Sequence, residues 1–194
     1  WEMGQTKITV KVHKGLLAKF NQDIDRIFLK RDAYLNQLIR IETPRLAEDL
    51  AGKRLSSKAK HYIAGRLKRM DIHPVNVVVD QDVADALNVV VQEANIVRDA
   101  FTNRLLWFLQ ASDVILNYLN LPRFINYSEF ERSIPEAMPT APMAVMRAIQ
   151  SDPLHYLHVG CEDRHATGLY LLDVPDEFTG FLTWARHRVD AGAH

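Results

Sequence analysis

Cysteine is all but missing from this chain. Cys161 stands alone in 194 residues, which excludes an intrachain disulfide framework and suits a reducing compartment, so a cytoplasmic protein is expected. No apolar run approaches the roughly 20 residues of a membrane span, and "WEMGQTKITV" lacks the layout of a secretion signal, so no membrane partner is expected. Glycine is scarce, and no P-loop, dinucleotide fingerprint or nucleophile elbow occurs. Those absences argue against an enzyme, and neither a catalytic residue nor a cofactor is expected. One cluster could suggest otherwise: His155, His158, Cys161 and His165 read H-x2-H-x2-C-x3-H, and all are zinc-ligand types. If "LHYLHV" is a strand, His155 and His158 point to opposite faces, and the spacing fits none of the common zinc patterns. No metal is expected. A Cys161–His165 nucleophile and base is equally cheap to find in a chain with 8 histidines.

Lysine is absent from the whole second part. Trp1 to Ile72 carry 16 Lys and Arg against 8 Asp and Glu, whereas His73 to His194 carry 8 Arg, no Lys and 16 acids. The stated net charge of +0 is therefore an average of a basic and an acidic part. Such a split suggests that the N-terminal part meets a polyanion, the plain alternative being two surfaces that pair with each other.

What the chain does contain is a near-repeat. "RDAYLNQLI" at Arg31–Ile39 and "RDAFTNRLL" at Arg98–Leu106 agree at five of nine positions, 67 residues apart. Upstream, the same offset relates Ile8, Val10 and Val12 of "KITVKV" to Val75, Val77 and Val79 of "VNVVVD". Alternation of β-branched and polar residues marks each as a strand with one buried face. Leu16, Phe20, Ile24 and Ile27, spaced as one helix face, correspond to Val83, Leu87, Val91 and Ala94. Strand, helix and helix thus recur in one order, which reads as a duplication. A unit of about forty residues has an open strand edge and too little chain to bury both helices, so it needs a partner.

The strand "KITVKV", the two amphipathic helices and the "RDAYLNQLI" helix start resemble the ribbon-helix-helix repressors. The resemblance covers Lys7 to about Glu42 and, more weakly, Val75 to about Leu109. It departs between the helices, where that family often has Gly and Ser and this chain has Leu29-Lys30-Arg31-Asp32. The resemblance implies two units pairing their strands into an antiparallel ribbon that enters the DNA major groove, with a repressor or DNA-bound accessory role. The expected architecture is mostly α with short β. Two ribbon-helix-helix-like units, 1–43 and 75–122, stand in tandem about a helical connector, 44–74, and a small α+β region, 123–194, follows.

Side chains alternate across a strand, so Lys7, Thr9 and Lys11 should face outward and contact bases: lysine donates to guanine O6 and N7, threonine offers a hydroxyl and a methyl. The plain alternative is a solubilised strand edge. The second unit is expected to present Asn76, Val78 and Asp80. A valine and a carboxylate suit DNA poorly, which leaves Asn76 as a candidate adenine reader. Lys30 and Arg31, at the second helix start, are candidate phosphate contacts. In the connector, Pro44 and Ser56 read as helix starts, and the basic run after Ser56 adds Lys58 and Lys60 as phosphate contacts, with Tyr62, Ile63, Leu67 and Met70 packed inward. The expected partner is double-stranded DNA. Self-association or a partner protein through the acidic C-terminal region is the rival, as in an antitoxin-like or adaptor module.

Overall fold

The structure is a computed structural model that describes residues 4–26, 28–111 and 152–154. Among them, strand β1 (Gln5–His13) runs into α1 (Lys14–Arg26) and α2 (Arg31–Asp49); α3 (Ser57–Arg69) leads to strand β2 (Ile72–Asp80), α4 (Gln81–Glu93) and α5 (Arg98–Gln110). The described part is thus mostly helical, with one two-stranded antiparallel sheet. Alternation sets its faces. Ile8, Val10, Val12, Val75, Val77 and Val79 are buried against the helices, and the residues between them face away.

The register has a symmetry of its own. Thr9 lies opposite Asn76, the residue 67 places further on, while Ile8 faces Val77 and Val10 faces Val75. The bonds around the ribbon repeat at the same offset. Lys14 N donates to Asp71 O at one end, and Gln81 N to Gly4 O at the other, each at 2.8 Å.

A two-stranded ribbon has two outer edges of unpaired peptide groups. Here each edge is sealed by the helix pair of the other strand. Along β2, Asp32 accepts from Val78 N (3.1 Å), Asn36 accepts from Asp80 N (2.9 Å) and Arg31 donates to Asn76 O (3.0 Å). Along β1, Asp99 accepts from Lys11 N (3.1 Å), Asn103 accepts from His13 N (2.8 Å) and Arg98 donates to Thr9 O (2.8 Å). The matching letters of "RDAYLN" and "RDAFTN" are the ones that make these bonds. Ile39 and Leu106, which follow them, are buried in the common core.

Two local expectations need correction. Pro44 does not begin a helix; it lies inside α2, which continues to Asp49. An interior proline costs ~3 kcal/mol through its missing N–H and ring clash. Burial of Leu38, Ile39, Leu46 and Leu50 on either side of it outweighs that. Tyr62 does not pack inward either: it is 55% exposed, with the Arg66 guanidinium 5.7 Å from its ring centroid. Leu67 alone of α3's expected apolar set is fully buried. Ser56 does cap α3, accepting from Ala59 N at 3.1 Å.

The turn without glycine has a visible consequence. Phe28 closes α1 in the left-handed region (φ 57°) and is 95% exposed; Asn95, 67 residues later, adopts the same conformation (φ 55°). Asparagine tolerates this region, whereas phenylalanine pays about 1–2 kcal/mol. Phe28→Asn should therefore raise unfolding free energy by ~1 kcal/mol in urea, since no buried contact is lost. Asn103→Ala should lower it by about 2–3 kcal/mol, because the buried amide also donates to Lys11 O (2.8 Å) and Asp99 O (2.7 Å). The α+β readings beyond Ala111 lie outside the described residues, apart from Leu154, which sits in a turn with its side chain fully buried in the core.

Candidate nucleic-acid interface

The outward row of β1 is Gln5, Lys7, Thr9 and Lys11, all exposed. The four residues opposite them are Asp80, Val78, Asn76 and Pro74. At the centre Thr9 Oγ1 donates to Asn76 Oδ1 at 2.8 Å, which fixes both side chains and leaves Asn76 Nδ2 pointing its hydrogens elsewhere. An amide donor at this point suits a purine N7 or a carbonyl at a groove edge. Lys7 and Lys11 stand on either side of this pair, at the two residues next but one along the strand. Their positions give a face about as long as a few base-pair steps, and cationic on one strand only.

The register puts Asn76, Val78 and Asp80 on the outward row, opposite Thr9, Lys7 and Gln5. At the offset of 67, Lys7, Thr9 and Lys11 correspond to Pro74, Asn76 and Val78, whereas Asp80 corresponds to His13. Asp80 lies on that row but is not an available carboxylate. Its Oδ2 accepts from Asn36 Nδ2 (2.8 Å) and from Arg40 (2.8 Å), and Arg40 reaches Asp82 as well (2.7 Å). The bond from Arg40 holds the Asp82 carboxyl below the usual range, so this exposed pairing is complete at neutral pH and is lost as pH falls through that lowered value. The ribbon face therefore carries two ammonium groups and no unengaged carboxylate.

The flanks differ. Lys30, exposed at the N-cap position of α2, makes no side-chain cap bond there. Arg31 beside it is oriented by Asp32 (2.7 Å) and by the Asn76 carbonyl, with its side chain about one-third exposed. At the start of α5 the N-cap residue is the half-buried Val97. Lys58 is exposed in the first turn of α3, while Lys60 is half-buried and donates to Asn95 Oδ1 at 3.1 Å. Lys60 is thus a tie between α3 and the α4–α5 turn. Sequence reasoning missed that role, and also Asn36 and Asn103. Their identity at one offset was the available signal for the pair; for Lys60 there was none.

Comparison with protein-family models, with curated proteins and with solved structures finds no match to this chain. Among the described residues there is no group of three or more His, Cys, Asp or Glu arranged to hold a metal, and no helix is long and apolar enough to cross a membrane. The His155–His165 cluster lies outside the described residues.

Asp80→Ala should act on the fold and not on any ligand. Removing the acceptor of Asn36 and Arg40 should lower unfolding free energy by about 1–2 kcal/mol in urea. Unchanged stability would show that the bonds are idle.

Proposed function

We propose that the chain binds double-stranded DNA in a sequence-specific manner, as a transcriptional repressor or a DNA-bound accessory factor. In this reading two ribbon-helix-helix-like units, a duplication fused in one chain, pair their strands, and the ribbon enters the major groove. The observation that carries it is the outward face of the ribbon, with Lys7, Thr9 and Lys11 exposed and no available carboxylate among them. A two-stranded ribbon fits the ~12 Å width of that groove. Lys7 and Lys11 would donate to guanine O6 and N7, and Thr9 and Asn76 would read the central step. Lys30 and Arg31 would hold phosphate at the start of α2, where unbonded backbone amides add to the attraction. Lys58 would add a further phosphate contact.

The burial pattern supports this division of labour. A strand edge protected only for solubility needs charge at its margin, yet both margins of this ribbon are already sealed by Asp, Asn and Arg side chains. The lysines lie on the face instead.

Lys7→Ala with Lys11→Ala should abolish specific retardation of DNA while leaving circular dichroism unchanged, since both side chains point away from the core. Each lost base contact should cost ~1–3 kcal/mol, and each lost phosphate contact should flatten the log–log salt slope by roughly one unit. Asn76→Ala should cost less, because it gives up one donor and the Thr9 bond. Binding that is absent, or indifferent to salt, would sink the DNA reading in favour of a protein-binding module.

A further inference from the structure

The pseudo-symmetric ribbon stands between two unlike flanks, and this asymmetry extends beyond Lys30 against Val97. The basic helix α3 packs on α5, the helix whose first residues seal the β1 edge. Its entry is tied to the α4–α5 turn: Leu55 N donates to Ala94 O (2.9 Å), Asn95 Nδ2 donates to Leu55 O (2.8 Å), and Arg54 donates to Glu93 O (2.8 Å). That turn leads into α5, whose first residues seal the outer edge of β1. At its other end α3 reaches Asp71, which accepts from Lys14 N at the ribbon end formed by His13 and Ile72. The segment that carries α3 is thus tied at its start to the α4–α5 turn and at its end to the ribbon end.

From Ala51 to Met70 the chain holds Lys53, Arg54, Lys58, Lys60, Lys68 and Arg69 besides Arg66, and no acidic residue. Helix electrostatics explain part of this. Lys68 and Arg69 in the last turn complement the dipole, and Lys60 is bonded to Asn95. The first turn has no acid and places the exposed Lys58 at the positive end, where a cation is disfavoured. Among the described residues no ion pair engages Lys58, Lys68 or Arg69. A polyanion along this flank accounts for all three. The same offset of 67 carries α3 onto Phe124–Glu136, where the sequence has Arg132 against Glu129, Glu131 and Glu136. The basic helix has no basic counterpart.

We infer that α3 is a one-sided phosphate clamp, and that the DNA site is non-palindromic, with backbone contacts reaching further on the β1 side. This rests on the DNA reading above. Two-fold operators mirror two-fold proteins. Here the equivalent ribbon positions hold Lys7 and Lys11 on one strand and Pro74 and Val78 on the other, so the two half-sites meet different chemistry.

The test is selection of binding sites from a pool of random-sequence duplexes by the full chain, followed by hydroxyl-radical footprinting on the enriched duplex. The expected result is a consensus without two-fold symmetry, protected further on one side. Lys58→Gln, Lys68→Gln and Arg69→Gln together should erase that extra protection and flatten the log–log salt slope by about two to three units, with the consensus unchanged. A palindromic consensus, a symmetric footprint, or an unaltered slope in the triple variant would each overturn the clamp while leaving DNA binding intact. Should no duplex be enriched at all, the DNA reading falls and the clamp falls with it.

Discussion

The structure depends on how the two strands solve the problem of their outer edges. A two-stranded ribbon satisfies only half of its peptide groups, and a lone hairpin-like pair is marginal in water. In this chain the missing partners are side chains, Asp32 and Asn36 on β2 and Asp99 and Asn103 on β1, delivered by the first two turns of α2 and α5. Because each helix serves the strand of the other half, neither half can complete its sheet alone. The crossing over also brings α2 against α4 and α1 against α5, which builds one core in place of two. Helix position, strand register and core closure are therefore one cooperative choice.

That arrangement makes the outward face available. With edges sealed and the inner face buried, the only exposed side-chain row of the ribbon is the one between the apolar positions. Besides Gln5, Pro74 and Val78 that row holds two lysines, a threonine bonded to an asparagine, and a carboxylate already held by Arg40. The basic half of the chain supplies the charge and the acidic half supplies the packing partner. Net charge near zero conceals this division completely.

Much of this was legible in the sequence because it obeys short periods. Alternation showed both strands and their buried faces, the helix spacing showed Phe20 and Ile24 as core, and the common offset showed that the two stretches play matching parts. What was not legible depends on contacts across the chain. Pro44 looks like a helix start locally, and only the burial of Leu38 through Leu50 keeps α2 whole. Asp80 looks like a free outward carboxylate by alternation, but the Asn36 and Arg40 that engage it lie 44 and 40 residues away. Tyr62 falls on the apolar side of α3 by spacing, yet that helix leans on its neighbours through its ends, so the ring stays in water. The repeated "RDA…N" was visible as a pattern, while its purpose needed the strand beside it.

The short segment Asp152–Leu154 carries a different lesson, about time. Asp152 accepts from Arg45 through both oxygens, at 2.9 and 2.6 Å, across 107 residues of chain, and Leu154 is fully buried in the shared core. The bonds that Arg45 donates to Asp152 and Glu42 hold its guanidinium protonated more firmly than usual. A ribosome that has released the chain only through α5 has exposed every strand and helix described here, but not the residue that fills that place. At ~5–20 residues per second, the forty-odd residues still to come are a wait of several seconds. During it the ribbon can pair while a site in the core stays open, which is the interval in which a nascent chain is most exposed to wrong partners. Among the described residues the last piece of this core is thus also the last to be synthesised, and its place in the core is filled only after translation of a distant segment.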